Sequence, residues 1–563
     1  MTSLLDTIVP RTLTQLVQRF TAGPATRVEA WLFEDEAARR AAEKTLAGAG
    51  VTAVLRSAYK PLVHFFLEEF EGESPGAREI VVRTPAGKGQ RFRLEAYPLA
   101  GLIGKRNTLR FVEGDELQSD YIVEAGDRRW QVFAPNDGTA SPCGWLRVWQ
   151  GDALVEDAPL RTEFEIACEA ALDAVRKHEW PTTLPLFDTL EIDIATVGIE
   201  RRLPFGEEAI STFEALHEDS YYGVLEFFKA RAGLPEADRT LQPGQIVPLI
   251  SQADGDTRVT VRLAQHSRVA PPVDAALVLD EAGRSLAPVE VERIVAQLPG
   301  EPFSVTSFQG RKVAGVHVRG ALPGLAITAG QHANESSGVV GALRAARHLN
   351  NHRDAHYALV PLENPDGAAL HYHLQATHPK HMAHAARYTA LGDDLEARTK
   401  PPFGEKAARL EAIARTSARL HLSLHGYPAH EWTRPRAGYV PLGGELWTVP
   451  KGFFLIFRRH PGLDGMRFLH ALTEELHSGS PELAEFNALQ QRMWHAHVGE
   501  LPFERINGIP CLVTTDERST VPFTLVTEFP DETVRGAAFR LAHTTQMRTV
   551  LAAARLYWKG LLA

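Results

Sequence analysis

Two residues three apart, His332 and Glu335, stand directly after the apolar run at residues 324–329. An imidazole and a carboxylate together suit a zinc ion, and two such ligands call for at least one more. A turn leading from a strand into a helix can aim residues i and i+3 at one spot. In open α/β sheets, ligands bind beyond the carboxyl ends of the strands. His-x-x-Glu alone is weak evidence. The pattern recurs at His497 and Glu500, where no strand precedes it and Gly499 and Pro502 mark a helix end. That second copy reads as solvated side chains, and the first taken alone fits a polar strand-to-helix turn equally well.

A third candidate ligand ends another short apolar strand, Leu420-His421-Leu422-Ser423-Leu424-His425-Gly426. Alternation puts His421, Ser423 and His425 on one face. His425, at the carboxyl end, is the better placed, and His421 reads as a core or supporting histidine, with an exchange of roles left open. Hydrolysis at such a metal also needs a group that takes a proton from water. Glu528 supplies a carboxylate at the end of a third apolar strand, although a strand-end glutamate at the surface is the plainer alternative.

These residues need a scaffold, and the alternation of strands and helices after residue 288 suggests a doubly wound α/β sheet. Strands are expected at 324–329, 358–362, 420–424 and 522–526, and helices at 337–349 and 544–556. More than half of the 23 histidines lie between His317 and His430. Upstream, residues 27–33, 36–46 and 51–56 read as strand, helix, strand. From about residue 79 short alternating runs at 79–83, 90–97, 121–124 and 129–133 suggest antiparallel strands, followed by a helix at 162–177. The clearest boundary is 269–288, with Pro271, Pro272 and Pro288. Three units follow from this: a small α/β domain at 1–115, a β-rich or mixed domain at 116–270, and the α/β domain at 285–563.

A chain of 563 residues suggests two to four domains, and 44% hydrophobic with 23% charged residues is a globular composition. The net charge of -10 gives no reason to expect nucleic acid. Residues 1–20 carry helix-like apolar spacing without a signal-peptide pattern, and no run is long and apolar enough to cross a bilayer. Cys143, Cys168 and Cys511 form no Cys-x-x-Cys pair, so a thiolate zinc site and a disulfide framework are not expected. A cytoplasmic protein without a membrane partner is the expectation.

In order, the pieces in the last half resemble the zinc carboxypeptidase family, the carboxypeptidase A-like metallopeptidases, over about residues 285–563. They are His332-Ala-Asn-Glu335, Asn364-Pro-Asp-Gly367, Gly392-Asp-Asp394-Leu-Glu396-Ala397, His425, and Glu528 before a last helix. The resemblance implies one zinc per chain held by His332, Glu335 and His425, with an open position. It implies that Asp394 hydrogen-bonds a liganding histidine, and that Glu528 deprotonates water and passes the proton to the leaving nitrogen. Asn364-Pro-Asp-Gly is a turn with a structural role.

The departures concern substrate. The family's Asn-Arg pair, which grips a terminal carboxylate, falls on Glu396 and Ala397, and Arg398 lies one residue on. The arginine that often stands next to the ligand Glu in the family is Asn334 here. Lys380 and Arg387 are the candidates for a carbonyl-polarising cation, with a solvated basic loop as the alternative. No tyrosine occurs at 505–521, and Tyr427 and Tyr439 are the candidates on proximity in sequence alone. The expected function is a zinc-dependent hydrolase of the metallocarboxypeptidase type acting on a peptide or an acyl-amino small molecule. An amidase or deacylase, in which Glu396 pairs with an amine or guanidinium of the substrate, is the alternative. A metal-free binding module predicts loss of ligands that are all present. The stretch Gly48-Ala-Gly50-Val-Thr-Ala53 follows a helix and precedes a strand, the reverse of a phosphate-binding turn. A serine hydrolase lacks its Gly-x-Ser-x-Gly elbow. The N-terminal half is expected to narrow access to the cleft or to form a homo-oligomer contact.

Overall fold

A computed structural model describes residues 2–70, 79–86, 95–104, 107–114, 119–138, 141–266, 277–430, 451–500, 503–517 and 519–562. Nine strands of the C-terminal half form one sheet. They are β1 Glu301–Thr306, β2 Lys312–Val318, β3 Leu325–Ala329, β4 Tyr357–Val360, β5 Leu420–Tyr427, β6 Phe454–Arg459, β7 Glu504–Ile506, β8 Ile509–Thr515 and β9 Phe523–Pro530. Their spatial order is β1-β2-β4-β3-β5-β9-β6-β8-β7. The four central strands β4, β3, β5 and β9 run parallel. Buried on both faces, β3 and β4 read as near-continuous apolar runs, as a covered parallel sheet requires, while β5 and β9 interleave polar residues. From β3 the chain first adds β4 on one side and later β5 on the other. The carboxyl ends of β3 and β5 therefore flank a topological switch point.

The helices of this half are α1 Pro288–Val295, α2 Ser337–Leu349, α3 Pro365–Thr377, α4 Ala407–Thr416, α5 Met466–Gly479, α6 Pro481–Val498 and α7 Ala537–Trp558. Alternation divides the side chains between two layers. Leu325, Ile327, Leu420, Leu422 and Leu424 join α2 and α7 in the main core. Ala358 and Val360 meet Ala408 and Ala412 of α4 on the other side. His421, Ser423 and His425, out of phase with the leucines of β5, consequently face the α4 side. Gly341 lets α2 approach α7: a Cβ there would lie 2.5 Å from Gln546 Cβ and 3.0 Å from the His543 carbonyl oxygen. The approach matters for the site, because Gln546 donates to the His425 carbonyl at 2.8 Å. The last helix starts at Ala537, after Gly536, seven residues ahead of the expected 544.

The N-terminal half contains three four-stranded sheets that interleave along the chain. The expected strand, helix, strand at 27–56 is present as Arg27–Leu32, Glu36–Gly48 and Thr52–Ser57, with Asp35 capping the helix through Ala38 N at 2.9 Å. Its sheet, however, is completed by Gly144–Gln150 and Ala153–Leu160. A second sheet pairs Glu79–Pro85 with Asp120–Ala125. These pairings cross the expected boundary at 115, so 1–115 and 116–270 are not separate units. Residues 1–20 also need correction: Thr2–Val9 is a strand paired antiparallel with Thr257–Ala264, and the helix begins only at Thr12, after Pro10. Part of the boundary at 269–288, and most of the run at 90–97, lies outside the described residues. Among the described residues, no helix is long and apolar enough to cross a membrane.

Candidate active site

His332 and Glu335 lie in the turn after β3, and His425 is buried near the carboxyl end of β5. Their ligand atoms all lie within 4.8 Å of one another, and all three side chains are buried. Glu335 sits between the two rings, with Oε1 2.8 Å from His332 Nδ1 and Oε2 2.8 Å from His425 Nδ1. The two Nδ1 atoms are 3.2 Å apart. Two imidazole nitrogens and a carboxylate aimed at one buried point form a donor set that fits zinc. The far sides of the rings are held too. His332 Nε2 lies 3.4 Å from Asp394 Oδ2, and His425 Nε2 lies 3.1 Å from Ser423 Oγ. Such outer partners fix ring orientation and tautomer. Burial opposes charge on His332, but Glu335 and Asp394 outweigh it and its pKa is raised. Burial would raise Glu335 as well, yet His332, Arg387 and His425 hold its carboxyl well below the usual range. For His425 burial prevails, and its pKa is lowered.

Glu528 on β9 stands in register with His425 on β5. It lines a cavity of about 300 Å³ together with His332, His425, Arg387, Asp394 and Glu396. Burial, reinforced by the charge of Glu335, pushes its carboxyl well above the usual range. Arg387 donates from Nη1 to Glu335 Oε1 at 2.6 Å and forms part of the same wall. The Asn-Pro-Asp-Gly turn holds that segment. Asn364 caps α3 by accepting from Gly367 N at 2.9 Å, and its amide donates to the Tyr388 carbonyl at 3.0 Å. The turn thus fastens the backbone next to Arg387.

No family model and no curated protein matches this sequence. Among solved structures, it is similar to a metallo-carboxypeptidase from Burkholderia cenocepacia at 14% identity, covering 55% of this chain and 77% of that one, with a TM-score of 0.31. The carboxypeptidase A from Helicoverpa armigera is 10% identical, with 60% and 95% covered and a TM-score of 0.32. Bovine thrombin-activatable fibrinolysis inhibitor is 11% identical, with 48% and 97% covered and a TM-score of 0.30. Scores this low lend no weight of their own. The site stands on the side chains just described.

The remaining expected residues divide. Of the two candidate cations only Arg387 reaches the cavity, because Lys380 lies out at the surface 3.7 Å from Glu207. Arg398 is consumed elsewhere: it donates to Asp393 at 2.6 and 2.8 Å and to Glu405 at 2.5 Å, and it does not line the cavity. Asn334 is fully buried and Tyr427 spends its hydroxyl on the Gly452 carbonyl at 2.5 Å, so neither lines the cavity. Tyr439 lies outside the described residues. His421 takes the supporting role, its Nε2 2.9 Å from Thr328 Oγ1, and burial pushes its pKa down to about 3. Glu396 does line the cavity, but three cations surround it: Arg409 at 2.7 Å, Lys406 at 3.9 Å and Arg458 at 4.0 Å. Burial would raise its carboxyl, but Arg409 and Lys406 bring it down to about 2. Its charge is thus already balanced by neighbouring cations in the folded chain. Arg239, Lys406, Arg409 and Arg458 line the cavity without having been foreseen. The usable signal was Arg458 itself, a charge ending the otherwise apolar run Phe453–Phe457.

Proposed function

We propose that this chain is a zinc-dependent hydrolase of the carboxypeptidase type that cleaves the amide bond of a peptide or acyl-amino compound. The supporting observation is the convergence of His332, Glu335 and His425 within 4.8 Å at the carboxyl ends of β3 and β5, with Glu528 in register on the next strand. These three residues would hold the ion, and Asp394 would fix His332. When bound, zinc supplies Lewis acidity that polarises a carbonyl and acidifies water. Glu528 then accepts a proton from the attacking water and returns it to the leaving nitrogen. Its raised pKa makes Glu528 a stronger base than an ordinary carboxylate. Arg387, on the cavity wall, offsets the negative charge that grows on the carbonyl oxygen. The N-terminal half takes part through Arg239, which lines the cavity and lies 3.5 Å from Asp394.

The test is a short peptide offered as free acid and as C-terminal amide, with and without a chelator, with products followed by mass spectrometry. Chelator-sensitive release of the last residue, restored by zinc and abolished in Glu528→Gln, is the expected result. Cleavage of the amide as readily as the acid would make the activity an amidase. No cleavage of peptides or N-acyl amino acids by protein shown to contain zinc would remove the proposal.

A further inference from the structure

Resting on that reading, we propose that the cavity selects a leaving amino acid with an anionic side chain, bound by Arg458, Lys406 and Thr524. The charges around Glu396 carry the first part of the argument. Arg409 is committed to fixed partners, donating to Glu363, Glu396 and Gln331. Two carboxylates, Glu363 and Glu396, thus face three cations, Arg409, Lys406 and Arg458, and Asp516 lines the same cavity. Arg458 is the cation with capacity left. Its nearest carboxylate oxygen is 4.0 Å away, and among the described residues its guanidinium makes no hydrogen bond. A guanidinium has five N–H donors in a fork that matches a carboxylate.

A second observation falls on the same spot. Thr524 lies directly across from Arg458 in the pairing of β6 with β9. It is 6% exposed and lines the cavity, and its Oγ1 has no hydrogen-bond partner among the described residues. A buried hydroxyl left unpaired is costly, so a site that presents one beside a spare guanidinium is suited to an incoming oxygen. Leu410, Ile413 and Val526 line the same cavity and can cover the methylenes of a short side chain.

Distance separates this anion from the one next to the bond being cut. Thr524 precedes Glu528 by four residues on β9, which is about 13 Å of extended chain. The carboxylate beside the leaving nitrogen stays close to Glu528, whereas the long side chain of Arg458 can reach back toward the far end of the leaving residue.

Four substrates on zinc-loaded protein separate the cases: N-acylglutamate, N-acylglutamine, N-acylglutamate α-amide and N-acylglutamine amide. The expected order in kcat/KM places both compounds with a free γ-carboxylate above their γ-amide counterparts by about 10- to 100-fold, the range for one charge-assisted hydrogen-bonded contact. Arg458→Gln and, independently, Thr524→Val should collapse that ratio through KM. Equal treatment of glutamate and glutamine compounds, or dependence on the α-carboxylate alone, overturns the inference. Where zinc-loaded protein cleaves none of the four, the proposed function fails by itself. Calorimetric binding of N-acetylglutamate against N-acetylglutamine then decides this inference, and equal affinities overturn it.

Discussion

Arg409→Met offers the most stringent check on how the site is held. Glu363 has no exposure, and Arg409 is its partner, donating from Nε at 2.9 Å and from Nη2 at 2.7 Å to Glu363 Oε2. The same guanidinium binds Glu396 and the Gln331 side-chain oxygen. Burial opposes its charge, but Glu363 and Glu396 outweigh that and raise its pKa further. Two unit charges about 4 Å apart interact by about 4 kcal/mol at an effective dielectric of 20. Removing one member of a buried pair costs about 3–5 kcal/mol, because the other is left as an uncompensated charge. Arg409→Met should therefore lose about 3–5 kcal/mol in urea denaturation. The chelated protein is the right sample, since bound metal would add its own stabilisation.

The companion substitution makes the reasoning refutable. Glu363→Gln removes the orphaned charge, so Arg409→Met combined with Glu363→Gln should be more stable than Arg409→Met alone. A coupling of about 1–3 kcal/mol is expected for residues in direct contact. The site reports separately. Gln331 donates to Asp394 at 3.1 Å, and Asp394 orients His332. Loosening Gln331 should weaken zinc binding by about 10- to 100-fold in chelator competition. A loss of stability under about 1 kcal/mol, or a double variant no better than the single, would refute the account of Arg409 as a buried anchor.

Elemental analysis should find one zinc per chain in wild type and none in His425→Gln, and zinc at a hundred times its Kd should stabilise the chelated wild type by about 2.7 kcal/mol. Arg387→Met should retain zinc but lose about 10²- to 10³-fold in kcat, whereas Lys380→Met should leave steady-state kinetics unchanged. A pH dependence follows from Glu214 and His430, whose Nε2 lies 2.8 and 2.7 Å from the two carboxylate oxygens. Burial pushes Glu214 up to about 8 and His430 down to about 4. Between about pH 6.5 and 8 the folded pair keeps one proton where the unfolded chain keeps none, so stability falls as pH rises, by on the order of 2 kcal/mol. Urea denaturation at the two ends of that window should show this fall in wild type and not in Glu214→Gln.

The cluster of His332, Glu335 and His425 was legible because each member lies at or just beyond the carboxyl end of a locally recognisable strand. His332 and Glu335 follow a buried strand, His425 closes another, and Glu528 a third. Parallel pairing at a switch point then brings such ends together whatever lies between them. Arg398 shows the opposite case. Its position one residue past the expected arginine suggested a substitute, but Asp393 and Glu405 hold it with three short contacts. Nothing in the spacing of Arg398 distinguishes a substrate-facing arginine from a sequestered one. The first strand was misread because Leu4, Leu5 and Ile8 suit a helix as well as a strand. What decides is a partner strand about 250 residues away, at Thr257–Ala264. The boundary at 115 failed for the same reason, since pairing partners are not encoded in composition.

The cavity's charge pairing was illegible for a related reason. Glu396 in place of an arginine suggested an acidic site that would repel a carboxylate. In the folded chain Glu396 instead accepts from Arg409, while Lys406 donates to its backbone carbonyl at 3.0 Å and lies 3.9 Å from its side chain. The positive charge comes from the start of α4 and from β6, elements 10 to 62 residues further along the chain. A carboxylate on the loop is thus held by basic groups on the scaffold, and groups on helices and strands are held more closely than groups on loops. An acidic residue at a motif position therefore says little about the potential a ligand meets, until the partners that neutralise it are known.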